Sequence, residues 1–162
     1  MRHVLFLCPL ARGRLSNALL SRKTHVFAPS LPKPLLVLAA VYFAASVAHF
    51  AHNAEYIAFY PGMPGWLTRE KVYLAWLSVT SLGLIAFAFA KLALPALALL
   101  FLAVYGGFGL DGLAHYTLAL CSEHTLLANV TIWSEAVTGV VLLLASAVLL
   151  SRQLTLQPAR RG

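Results

Sequence analysis

Apolar residues fall in four long runs of this chain, and polar residues gather in the breaks between them. The runs cover 35–60, 72–90, 92–118 and 126–150, and each can cross a hydrocarbon layer that takes about 20 helical residues. Pro32 and Pro34 precede the first run, Pro61-Gly62-Met63-Pro64-Gly65 makes a turn after it, and Thr68 stands where a cap to the second belongs. Lys91 is the only polar break between the second and third runs, and Pro95 falls in the first turn of the third, where proline is tolerated. The pattern predicts an all-α fold: an integral membrane four-helix bundle, antiparallel and up-down-up-down. Residues 34–150 form the membrane domain. A basic N-terminal tail (1–33), interfacial or disordered, and a basic C-terminal tail (151–162) flank it.

Charge orients the bundle. Ten of the 12 Lys and Arg residues lie before the first run, at Lys91 or after the fourth, and only Arg69 and Lys71 lie on the other side. The positive-inside bias then places both termini in the cytoplasm. A bacterial inner membrane is the expected location. The acid-free, serine-containing N-terminal segment also fits a transit peptide, which would place the chain in an organellar inner membrane.

Composition agrees with this reading. Hydrophobic residues make up 60% of the chain and charged residues 10%, against roughly 45–50% and 25% in soluble domains. That excludes a water-soluble globule and a disordered chain. The net charge of +7 does not indicate nucleic acid as a partner, because the basic residues sit in tails with no binding motif between them. The expected partner is the lipid bilayer, with a membrane complex or a second copy of the chain in addition. Cys8 and Cys121 fall on opposite sides of the membrane in this topology, so they are not expected to pair.

Candidate chemistry lies at the end of the bundle away from the cytoplasm. All five acidic residues, Glu55, Glu70, Asp111, Glu123 and Glu135, lie in that half or its loops, and His49, His52, His115 and His124 join them. At a rise of about 1.5 Å per residue, counted from the cytoplasmic span ends, His49 and Glu135 stand at roughly 22 and 24 Å, and Asp111 at roughly 30 Å. His49, His52, Asn53 and Tyr56 make one polar stripe on the first helix, while Asp111 and His115 are one ideal turn apart on the third. Ionisable groups inside a span are costly and normally face the interior with a partner. Imidazoles and carboxylates from three helices suit a transition metal, whether copper(II), zinc, iron or manganese, and suit haem less because the carboxylates would crowd a porphyrin.

The expected ligands are His49, His52, Asp111 and His115, with Glu135 as the proton-handling, catalytic group. Asn53, Glu55, Tyr56, Thr131 and His124 are expected to surround and orient them. Asp111-x3-His115 followed by His124 resembles the copper-holding Asp-x3-His with a later His in the C subunit of particulate methane and ammonia monooxygenases. The likeness is one of ligand chemistry over three residues. The four-span architecture also resembles small bacterial families of the DoxX type.

The expected function is metal handling, or redox or hydrolytic chemistry at the membrane surface. Two other readings stand beside it. One is an accessory or assembly subunit of a membrane complex, docking through Ala86 to Ala90. The other is a proton or small-molecule translocation element using Glu135. Tyr60, Trp66 and Tyr116 read as interfacial belt residues, and Ser122 as a helix cap that places Glu123 favourably at the dipole.

Overall fold

A computed structural model of the chain describes residues 31–156. The tail expectations for 1–30 and 157–162, including that for Cys8, lie outside the described residues. Five α-helices form: α1 (Lys33–Glu55), α2 (Arg69–Lys91), α3 (Pro95–Gly107), α4 (His115–Leu118) and α5 (Leu126–Leu156). Short 3-10 stretches cover Ile57–Phe59, Phe108–Ala114 and Cys121–Glu123, and no strand occurs among the described residues. The path from α3 through the 3-10 stretch to α4 makes one rod. Four helical rods, Lys33–Glu55, Arg69–Lys91, Pro95–Leu118 and Leu126–Thr155, are therefore long and apolar enough to cross a membrane. Such a set is that of an integral membrane protein.

Local sequence sets the ends of the rods. Pro34 falls in the first turn of α1 and Pro95 opens α3, positions where the missing N–H has no intrahelical partner to lose. The Thr68 hydroxyl accepts from the Lys71 backbone N–H at 3.4 Å and starts α2. The tight turn after Lys91 runs through Ala93 at φ 57°, and the next helix begins two residues later. At the start of α5 the cap is Thr125, whose hydroxyl accepts from Ala128 N–H at 3.1 Å. Ser122 lies instead within the short 3-10 turn, where the Glu123 carboxylate accepts from Leu120 N–H at 2.6 Å. A side chain that closes its own turn in this way leaves the helix to begin later.

The rods pack in a ring, with α1 and α3 each lying between α2 and α5. Their shared core, Leu35, Tyr42, Ala86, Ala98, Leu99, Leu102, Tyr105 and Leu142, lies toward the end where α1 begins. Leu74, Leu77, Leu84, Val137, Val141 and Leu144 are exposed on the outside, as lipid-facing positions should be. The 86–90 segment is not one free face: Ala86 is fully buried, Phe89 packs on Phe101 with ring centres 5.3 Å apart, and Phe87 points outward.

The closest approach is between the third rod and α5. A Cβ at Gly139 would lie 2.6 Å from the Gly106 carbonyl oxygen and 3.0 Å from the Gly109 Cα, so the two backbones touch. Small residues at a membrane-helix interface allow this contact, and dispersion across it holds the pair. The seam draws the 3-10 stretch against α5, and that contact positions the site.

Candidate functional site

The polar residues collect where α1 ends and α5 begins. His49 and Asn53 occupy one face of α1, four residues apart, and His115 opens α4 opposite them. The Asn53 amide nitrogen donates to Nε2 of His49 and to Nε2 of His115, each at 3.0 Å. One amide thus fixes both rings, which accept at Nε2 and carry their protons on Nδ1. The ring centres stand 5.4 Å apart, edge to face.

Glu135 reaches this pair from α5. It is 1% exposed, and its Oε2 lies 3.6 Å from His49 Nε2, too long for a hydrogen bond. Neither carboxyl oxygen makes a hydrogen bond of full geometry, and the buried Ser46 hydroxyl of α1 is a weak donor facing it. Gly112 borders the same spot: a Cβ there would stand 3.5 Å from both Glu135 Oε2 and His49 Nε2.

Above His115 an aromatic layer closes the bundle. The Tyr60 ring lies 5.1 Å from that of His115 and 5.9 Å from that of His124, and the Tyr60 hydroxyl hydrogen-bonds His52 Nδ1 at 2.6 Å. Burial pushes the Tyr60 phenol up to about 12, so it keeps its proton at physiological pH and can donate to His52. Gly62 makes this fold-back feasible. It sits at φ +73°, and a Cβ there would be 2.8 Å from the Leu118 carbonyl oxygen, so the turn after Tyr60 rests directly on the end of α4.

Beside Tyr60 opens a cavity of about 400 Å³, lined by His52, Tyr56, Phe59, Tyr60, His124, Thr125, Leu127 and Ala128. His124 is 7% exposed, and neither ring nitrogen has a hydrogen-bond partner in the protein.

The structure brings together His49, Asn53, His115 and Glu135, and sets His52, Tyr56 and His124 at the cavity above. Thr131 is buried in α5, where its hydroxyl donates to the Ala128 carbonyl at 2.9 Å. Two expected members stand apart. Asp111 is exposed and borders a shallow outer groove with Ala103, Val104, Gly107, Phe108 and Leu143. The 3-10 stretch causes this: at three residues per turn successive side chains advance about 120°, so Asp111 and His115 do not share the face that an ideal α-helix would give them. Glu55 turns to the rim, where it accepts from Arg69 Nη2 and from the Tyr73 hydroxyl, both at 2.8 Å.

His52 is hydrogen-bonded to Tyr60 through Nδ1 alone, Asp111 is exposed and Asn53 bridges His49 to His115. Among the described residues no three His, Cys, Asp or Glu side chains stand where one ion could be held. Tyr60 was legible in sequence only as a belt residue, although the Pro61-Gly62 turn directly after it is a signal that the chain reverses there.

Comparison with family models, with curated proteins and with solved structures finds no significant match to this chain. The class defined by fold and site is an all-helical membrane bundle with a buried histidine–carboxylate tract beneath an aromatic cavity.

Proposed function

We propose that this protein binds a small molecule in the cavity at the His52–Tyr60–His124 end, and that His115, Asn53, His49 and Glu135 form the polar floor of that site. In this reading the four rods run up-down-up-down with both termini in the cytoplasm, in a bacterial inner membrane. The cavity then opens on the opposite, periplasmic side.

One observation carries the reading: His124, with both ring nitrogens unpartnered, lines the cavity itself, whereas the other unpartnered buried side chains, among them Thr80, Tyr105 and Ser146, are spread through the bundle. Side chains that serve only to tie helices together satisfy one another, and buried polar groups in native proteins are nearly all paired. Here both His124 nitrogens are unpaired at the cavity wall, and both Glu135 oxygens lie deeper, beneath the Tyr60 and His115 rings. Groups kept unpaired at a cost in stability are those available to something else.

The test is native mass spectrometry of the full chain extracted in its own lipid, with metal analysis of the same sample. The reading expects an organic adduct at one equivalent, reduced in Tyr60→Ala, and metal well below one equivalent. Stoichiometric metal that disappears in His49→Ala would replace the reading with a metal centre. Neither adduct nor metal would leave a scaffold or assembly role.

A further inference from the structure

The cavity's chemistry narrows what it takes. We infer that it binds an uncharged aromatic molecule carrying an oxygen at the ring edge, of the quinone or phenol class; this rests on the ligand-binding reading above.

The walls argue for a ring. His52, Tyr56, Phe59, Tyr60 and His124 supply five of the eight lining side chains, and aromatic groups favour offset or edge-on partners at centre separations of about 4.5–7 Å. They already stand that way to one another: His52 to Tyr56 at 4.8 Å, His52 to Tyr60 at 5.6 Å and Tyr60 to His124 at 5.9 Å. A flat guest continues the set, with Leu127 and Ala128 as its apolar bed.

The lining also argues against charge. No Asp, Glu, Lys or Arg borders the cavity, so an ion placed there would lose its hydration without gaining a counter-charge. Hydrogen-bonding capacity is nonetheless present. A neutral imidazole presents one donor and one acceptor, and His124 is buried with both nitrogens unpartnered. His52 has only its Nδ1 engaged by Tyr60, which leaves its Nε2 for a guest. A ring carbonyl takes the donors and a ring hydroxyl uses both kinds of site, so oxidised and reduced forms both fit. Binding alone is inferred; no redox step is assigned.

The experiment titrates the full chain in phosphatidylcholine nanodiscs with 2,3-dimethoxy-5-methyl-1,4-benzoquinone and, separately, its quinol, by calorimetry against protein-free discs. Saturable one-to-one binding is expected, weakened at least tenfold in His124→Leu, which removes the unpaired nitrogens. Leu127→Trp, at an exposed position on the cavity wall, should weaken binding similarly by filling the space without touching an imidazole, and it serves should His124→Leu fail to fold. Absence of saturable binding to the wild type, or equal binding by both folded variants, overturns the inference. If the native adduct proves charged or aliphatic and the benzoquinone does not displace it, this inference falls and the ligand-binding reading stands. If no adduct is found and neither probe binds, both fall.

Discussion

Asn53 holds two imidazoles with one amide nitrogen, and much of the site's geometry depends on that side chain. Asn53→Ala leaves Nε2 of His49 and of His115 without a donor in a buried setting, and a buried polar group left unpaired costs about 1–3 kcal/mol. The expected loss of unfolding free energy lies in that range, measured by denaturant titration in mild detergent. An unchanged stability would mean that the bridge does not hold the rings. The stripe of His49, Asn53 and their neighbours was readable from spacing alone, because α1 is a regular helix from Lys33 to Glu55 and residues three and four apart share its face. The same arithmetic misplaced Asp111, because Phe108–Ala114 is a 3-10 stretch whose tighter winding rotates each side chain further. Nothing in the residue types there announces the change of winding. Tyr60 joined the site through a fold-back of the chain, which is a tertiary contact that helical phase does not encode.

Among elements, the seam between the third rod and α5 sets where Glu135 stands relative to His49 and Gly112. Spacing alone does not say that the glycines of the third rod meet Gly139, since only packing reveals which helix faces them. Gly139→Val places a branched side chain where a single Cβ already lies 2.6 Å from the Gly106 carbonyl oxygen. Overpacking of this kind typically costs about 1–3 kcal/mol and can cost more, and here the obstacle is backbone on both sides. The expected outcome is a fall of about 3 kcal/mol or a failure to fold, with weakened adduct binding in whatever folds, read by thermal unfolding and native mass spectrometry together. Gly107, which has no neighbour within 4 Å of its Cβ position, is the matched control: Gly107→Ala should leave stability within about 1 kcal/mol, since a helical Gly-to-Ala change alters propensity by no more than that.

For the whole molecule, the four apolar rods were readable from composition and punctuation, although the first ends at Glu55, short of the expected residue 60, where the chain folds back. The fourth continues past residue 150 to Leu156, because no proline or glycine stops it earlier. Orientation makes its own prediction. Cys121 is exposed in the connection before α5, on the side opposite Lys91 and α1's start in the proposed topology. In a Cys8→Ser background, an impermeant maleimide added to intact cells or right-side-out vesicles should label Cys121, and labelling only after permeabilisation would invert the topology.

The central claim is that Glu135 is kept for a bound molecule and does not serve to tie helices together. Thermal unfolding of Glu135→Leu against wild type, without added ligand, separates these directly. Leucine has a similar volume, removes the two buried carboxyl oxygens, and leaves His49 still bonded to Asn53. A buried polar group without a good partner carries a desolvation cost of about 1–3 kcal/mol, which the apolar side chain removes. The account predicts a midpoint that rises or holds while adduct binding falls. A midpoint lowered by the equivalent of about 3 kcal/mol, the cost of breaking a buried pair that a structural role would require, would contradict it.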